Sequence, residues 1–261
     1  MTDENKSSES QYGLGRIPSA FDQRDYNLKD FIPRGAVLLP PDKRDWEYPS
    51  VPLNQGDSAH CGGFMRANFG INLPTHVPYT NEDGHKFYYK AKVIDGNPTS
   101  EEGTSLRSIM KSMKLDGQVE AYAFAQDISV IRYWLLNRGP VMVGTIWTTD
   151  MFKPDENHVV HIGGAIAGGH AYLLNADRGD NYARIQNSWG PDWGLNGQAW
   201  ISFADWERLF NYDGEAVAAV ELENYRPKKL CWFWEWIQSI KKSSKAFGEI
   251  EFLPGVTKAV A

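Results

Sequence analysis

After residue 140 the chain is written as five short apolar runs, at 141–147, 170–174, 182–186, 198–203 and 215–222, with polar or glycine-rich stretches between them. Runs this short, bounded by turn formers, read as strands. The region before them has a different period. Leu106, Ile109, Met110 and Met113 recur at intervals of three and four, behind a Thr104 or a Ser105 able to cap a helix and ahead of Gly117. Asp127 can cap a second helix that carries Ile131, Trp134 and Leu135 on one side and stops at Gly139–Pro140. Helices first and a mostly antiparallel sheet afterwards predict an α+β fold of two lobes, one helical and one sheet-based.

The remaining segments are less regular. The stretch FMRANFGI predicts a short helix that starts near Cys61, contains Gly63 and Gly70, and is broken before Pro74. Residues 74–104 are turn-rich and read as loop or as the irregular wall of a cleft; 205–208 predicts a single helical turn. Residues 13–52 hold six prolines, and the expectation is an extended lead-in wrapped over the surface and pinned by Phe21, Tyr26, Phe31 and Trp46. Residues 1–12 are polar and expected to be disordered. The organisation expected is therefore 1–12, 13–52, a catalytic domain at 53–225 and an extension at 226–261.

Charge supports the last boundary. The net charge is −6, yet 226–245 carries +5 and 246–261 carries −1, which leaves −10 on residues 1–225. That segment, RPKKLCWFWEWIQSIKKSSK, predicts a helix with Trp232, Trp236 and Ile240 on one face. Packing on the acidic body is the expected use, and a protein partner or self-association through 226–245 the alternative; membrane contact is the weaker option. No basic surface spans the chain, which argues against nucleic acid as partner. The first residues hold no apolar leader, so the expectation is a cytoplasmic protein or, if viral, one in the host cell or particle. Two cysteines, Cys61 and Cys231, cannot build a disulfide framework or a structural zinc site. His158 and His161 lack companions at ligand spacing, and the glycine pairs at 163–164 and 168–169 do not form a nucleotide fingerprint. No metal or cofactor is expected.

The chemistry gathers around Cys61. At a helix start, amide N–H groups favour a thiolate, and Gly62 and Gly63 leave the sulfur uncrowded. Gln55, six residues upstream, is placed to send an amide N–H to an oxyanion beside it. His170 and Asn187 belong to successive runs joined by a short turn, so an antiparallel pair brings them together; the asparagine then orients the imidazole and leaves its other nitrogen for Cys61. Each residue alone has an ordinary explanation: a buried thiol, a strand-end histidine, an Asn-Ser-Trp-Gly turn. Their joint occurrence does not.

In these residues the chain resembles the papain-like cysteine peptidases. Gln55–Gly56, Cys61, Gly169–His170, Asn187-Ser188-Trp189-Gly190 and Trp193-Gly194…Asn196-Gly197 stand as the family's motifs do, and Gly139-Pro140-Val141 resembles its strand entry. The resemblance covers roughly 53–205 and implies a papain-like two-lobe fold. It implies Cys61 as nucleophile, His170 as base and acid, Asn187 as orienter and Gln55 as oxyanion donor. Trp189 would shield the His–Asn pair, and His60, Gly62, Gly169 and Trp189 would line the cleft for a peptide or protein substrate. The lead-in Gly15-Arg16-Ile17-Pro18…Asp22-Gln23-Arg24-Asp25-Tyr26 resembles divergent prokaryotic or viral members without the usual propeptide and disulfides.

The chain also departs from the pattern. Ala59, His60 and Gly62 replace the family's usual neighbours of the nucleophile, Ser58 stands for an upstream cysteine, and the helical lobe is trimmed. The edge that pairs with substrate backbone is expected at 97–104. Two alternatives to a peptidase stay open: a catalytically silent module with a structural or binding role, and a thiol amidase or acyl transferase acting on non-protein amides.

Overall fold

The structure, a computed structural model, describes residues 12–33 and 43–222; the expected helix at 226–245 lies outside the described residues. In chain order the elements are β1 (Arg16–Ile17), β2 (Tyr26–Asn27), β3 (Arg44–Asp45), α1 (Cys61–Ile71), α2 (Asn81–Ile94), β4 (Thr104–Ser105), α3 (Leu106–Leu115), β5 (Ala121–Phe124) and α4 (Ile128–Asn137). The sheet region follows with β6 (Val141–Thr148), β7 (Ile166–Asp177), β8 (Tyr182–Gln186), β9 (Gln198–Ser202), α5 (Phe203–Asp213) and β10 (Glu215–Val220).

The helical lobe is built around α1, every residue of which is buried. A helix covered on all sides needs neighbours that approach closely, and glycine permits this. A Cβ on Gly63 would stand 2.2 Å from the carbonyl oxygen of Gly84 in α2. The helix propensity lost at these glycines, about 1 kcal/mol each, is offset by the contact they allow. The whole of α2 falls in the stretch that the sequence reads as loop or as the irregular wall of a cleft. Its start is nevertheless marked by a capping box: Thr80 accepts from the Asp83 N–H, and the Asp83 carboxylate accepts from Thr80 N at 2.9 Å. Charged residues and Gly84 mask its apolar face, Phe87, Tyr88 and Ala91.

Ser105 rather than Thr104 caps α3, and Asp127 caps α4. The large sheet runs β2-β5-β10-β6-β7-β8-β9, with β3 pairing on β7. All its pairings are antiparallel except β2 with β5. Three boundaries differ from expectation. β7 starts at Ile166, so His170 lies inside a strand opposite Thr145 rather than at its entrance. Ser202 ends β9 and caps an eleven-residue α5, where one turn was expected. The strand at 215–222 stops at Val220. The short strand β5 escaped notice because AYAF is too brief to show a period.

The lead-in is pinned by fewer residues than expected. Phe31 is buried and meets Tyr26 edge-on, and Trp46 donates to the Leu135 carbonyl at 2.6 Å. Phe21, in contrast, is 93% exposed. Tyr12, expected among disordered residues, stacks on Trp189 with ring centroids 4.8 Å apart.

Candidate active site

Helix α1 begins without a side-chain cap: His60 occupies the N-cap position and makes no capping hydrogen bond. The first N–H groups of the helix are therefore left for the sulfur of Cys61, the first helical residue. Backbone N–H groups of Ala171, Gly62, Gly15 and Cys61 itself approach the thiol and lower its pKa, but burial outweighs them and raises it to about 11. Cys61 has no exposed surface.

Ala171, which supplies one of those N–H groups, follows His170 in β7. The ring of His170 is also fully buried, lying flat on Trp189 at 4.5 Å and edge-on to Trp147 at 5.0 Å. Nε2 of His170 pairs with Oδ1 of Asn187 at 2.8 Å. An amide oxygen only accepts, so Nε2 carries the proton and Nδ1 keeps its lone pair. Nδ1 has no hydrogen-bond partner. Burial pushes the imidazole pKa down to about 4, against the opposing pull of Asn187. Thiol and imidazole are both neutral across the pH range between those values.

Gln55 is buried, and its amide is fully engaged. Nε2 donates to the carbonyls of Ser58 at 2.6 Å and Gly13 at 3.1 Å, while Oε1 accepts from the Ser188 hydroxyl at 2.6 Å. Indole Nε1 of Trp189 donates to the same Gly13 oxygen at 3.2 Å. A carbonyl from the chain's own N-terminal region thus accepts from the side chains of both Gln55 and Trp189.

Residues 12–17 form a strap that runs between the start of α1, Trp189, Gly169 and the 103–104 edge. Gly13 N donates to Gly56 O, Gly15 N to Gly169 O, and Thr104 N to Gly15 O, each at 2.9 Å. The strap then pairs in parallel with β4, Arg16 beside Thr104. The fit requires glycine: a Cβ on Gly15 would lie 2.1 Å from the Ala59 carbonyl oxygen, and one on Gly103 would lie 1.6 Å from that of Gly15. Next in line, the buried guanidinium of Arg16 reaches Asp213 and Glu215, each at 2.8 Å. Glu215 pairs across the sheet with Gly144, where the absent side chain leaves room for the arginine stem.

Behind the site a buried ladder of amides joins the lobes, and no sequence signal had drawn attention to it. Asn72 of the α1 C-cap donates to Gln186 at 2.5 Å, and Asn175 donates to both Asn72 and Gln186 at 3.0 Å. Arg184 donates to Asn175 at 2.9 Å, and Asn68 holds the carbonyl of Asn187 at 3.2 Å. The ladder fixes the segment that carries Asn187 to the helix that carries Cys61. Asn175→Leu leaves three of these groups short of a partner, so a loss of about 3 kcal/mol is expected in urea unfolding. A loss below about 1 kcal/mol would show the ladder to be dispensable.

The four residues expected to line a cleft separate into two groups. Gly169 and Trp189 touch the strap directly, and Gly62 lies against Thr104 and Ile109. The ring of His60 is turned instead into a cluster with Tyr88, His85 and Glu101. His161 pairs with Asp155 at 2.9 Å. Among the described residues no group of three or more His, Cys, Asp or Glu is placed to hold a metal ion, and no helix is long and apolar enough to cross a membrane.

The chain is similar in sequence and in fold to known cysteine proteinases. Cathepsin B-like cysteine proteinase 3 of Ostertagia ostertagi is 27% identical over 157 residues, which is 58% of this chain and 87% of that protein. Cathepsin B-like cysteine proteinase 6 of Caenorhabditis elegans is 35% identical over 80 residues, 30% of this chain and 21% of that one. In structure the chain is similar to xylellain, a cysteine protease from Xylella fastidiosa, with a TM-score of 0.64, 20% identity and coverage of 80% of this chain and 97% of that one. It is also similar to procathepsin B S9 from Trypanosoma congolense, with a TM-score of 0.54, 13% identity and coverage of 81% and 87%. No protein-family profile matches the chain.

Proposed function

We propose that the chain is a papain-like cysteine-type peptidase held in a latent form, a reading supported by its similarity to a cathepsin B-like cysteine proteinase over 58% of its length. Cys61 is the nucleophile, His170 the base and then the acid, Asn187 the residue that orients the imidazole, and Gln55 with the Cys61 amide the oxyanion donors. The observation that carries this reading is the 2.8 Å bond between His170 Nε2 and Asn187 Oδ1, which leaves Nδ1 a free acceptor. With the cleft open, Nδ1 takes the thiol proton as sulfur attacks the scissile carbonyl. The imidazolium then protonates the leaving amine, and His170 activates water to clear the acyl-enzyme.

A second reading has an observation behind it. The thiol is sealed under residues 12–17 and its pKa is raised to about 11, as suits a silent module that binds without turning over. Covalent labelling distinguishes the two. The full-length protein and its Arg16→Ala variant, incubated with a peptidyl epoxide, are expected to gain one adduct at Cys61 by mass spectrometry, with the rate lost in His170→Ala. Equal labelling with and without His170, or none in either protein, overturns the peptidase reading. Hydrolysis of casein, as against small amides only, then separates a peptidase from an amidase using the same residues.

A further inference from the structure

One cluster beside the nucleophile, built on a buried histidine and reaching out to exposed residues, plays no part in the proposed reaction. The ring of His60, 4% exposed, stacks on Tyr88 at 3.8 Å. Its Nδ1 lies 2.7 Å from Nδ1 of His85 in α2, and its Nε2 lies 2.9 Å from Oε2 of Glu101. Tyr89 donates to the other Glu101 oxygen at 3.0 Å. With both rings neutral, one proton arrangement satisfies the whole chain. His60 donates from Nε2 to the carboxylate and accepts at Nδ1 from His85, so a single proton lies between the two rings.

Glu101 belongs to the segment that ends in Gly103 and Thr104, the edge whose Thr104 amide holds the Gly15 carbonyl. The same segment is gripped by the Tyr88 hydroxyl at the carbonyls of Ser100 and Glu102, at 3.1 and 2.6 Å. Lys92 donates to Gly103 O at 3.0 Å, and Thr104 Oγ1 donates to Asp95 at 2.7 Å. Of these contacts, those of His60 alone connect the residue before the nucleophile to the edge that binds backbone.

We propose that His60 is a positioning residue: with His85 and Glu101 it clasps the 101–104 edge to the start of α1, and protonation of this clasp loosens the edge's hold on whatever backbone lies in the cleft. The inference takes the cleft to be the peptide-binding site proposed above, but its test needs no turnover.

The groups that face the His60 ring are His85, Tyr88 and Tyr89 from α2 and Glu101 from the 97–104 segment, with Lys92 and Asp95 further along the same edge and Cys61 next in α1. His85 is held below the ordinary imidazole value, first by burial and then by the charge His60 would carry. Glu101 is held below the ordinary carboxylate value, first by its bond from His60 and then by that from Tyr89. Both shifts have the same sign but act in different windows, that of His85 as pH falls below the ordinary imidazole value and that of Glu101 only below the ordinary carboxylate value. A lowered folded-state pKa stabilises above the unfolded value and is lost as pH falls through the folded one. Protonation of both rings also sets two N–H groups against each other across the 2.7 Å contact.

Hydrogen exchange of the full-length protein tests this. Protection of peptides covering 12–19 and 99–106, corrected for the intrinsic exchange rate, is compared at about pH 7.5 and about pH 5. About a tenfold loss of protection is expected on acidification. His60→Phe, which keeps the stacking on Tyr88 but not the hydrogen bonds, is expected to be poorly protected at both values. Glu101→Gln keeps an acceptor without its charge, so it should retain protection at neutral pH and show a flatter response. PH-independent protection in the wild type overturns the proposal, as does an unaltered pH response in His60→Phe. Should His60→Phe fail to fold, Glu101→Gln and His85→Ala at the cluster's outer positions decide: an unchanged pH response in both also overturns it.

Discussion

Cys61→Ala is expected to abolish hydrolysis, about a 10⁶-fold loss, while costing the fold only about 1–2 kcal/mol. The small cost follows from the surroundings. The first turn of α1 is held by backbone bonds from Gly63 and Phe64 to the His60 carbonyl, and alanine keeps the helix. The large loss follows from the chemistry, because no other described cysteine exists to replace the sulfur. His170→Ala is expected to be about as severe, and the double variant no worse, since nucleophile and base act as one unit. Asn187→Ala should lose about 10–10²-fold through misorientation of the ring, and Gln55→Ala about 10²-fold through a weakened oxyanion site. Thiol alkylation adds a pH signature. With the strap in place, burial holds Cys61 up to about 11 and His170 down to about 4, so the alkylation rate should keep climbing with pH toward about 11. A plateau near neutrality would show that an ion pair already exists. Normal turnover in Cys61→Ala would remove the thiol mechanism altogether.

Much of this site was legible because its residues are tied to elements with short periods. The antiparallel pairing of 170–174 with 182–186 follows from two apolar runs and a turn, and it brings His170 and Asn187 within one hydrogen bond. The position of Cys61 at a helix start follows from the apolar stretch after it. What the sequence concealed depends on contacts between segments far apart in the chain. The ladder of Asn68, Asn72, Asn175 and Gln186 has no local pattern, since polar residues in a helix and a strand look solvent-facing until the lobes close on them. Likewise α2 was obscured because its exposed side carries most of its charge, and Gly84, a weak helix former, is required by the approach of α1. The path of residues 12–17 was hidden for the same reason. Glycines at 13 and 15 carry no side chain to mark the path in the sequence, whereas in the fold each lies where a side chain would strike a backbone carbonyl.

Arg16→Ala in the full-length chain is expected to raise the rate of Cys61 alkylation by about a hundredfold. The guanidinium is enclosed, with one carboxylate mostly buried and the other partly exposed, at side-chain exposures of 1%, 14% and 43% for Arg16, Glu215 and Asp213. Removing one member of an enclosed ion pair costs about 3–5 kcal/mol, and the exposure of Asp213 reduces that to about 3 kcal/mol. The loss falls on the closed arrangement alone, because a released strap leaves Arg16 and both carboxylates in water. A shift of about 3 kcal/mol in the open–closed balance is about a hundredfold in the open population, which the reagent samples. Arg16→Lys is expected to lie between the two, since an ammonium keeps the charge but not the paired geometry. The shift should persist in high salt, as enclosed pairs are screened little. Loosening the strap also admits water to the sulfur and the imidazole, relieving the burial that separates their pKa values, so peptide hydrolysis should rise with alkylation. Equal alkylation rates in wild type and Arg16→Ala, with both proteins folded, would mean that Arg16 does not hold the cleft shut. A faster alkylation with no hydrolysis would keep the strap as a cover and assign the site beneath it to binding rather than to catalysis.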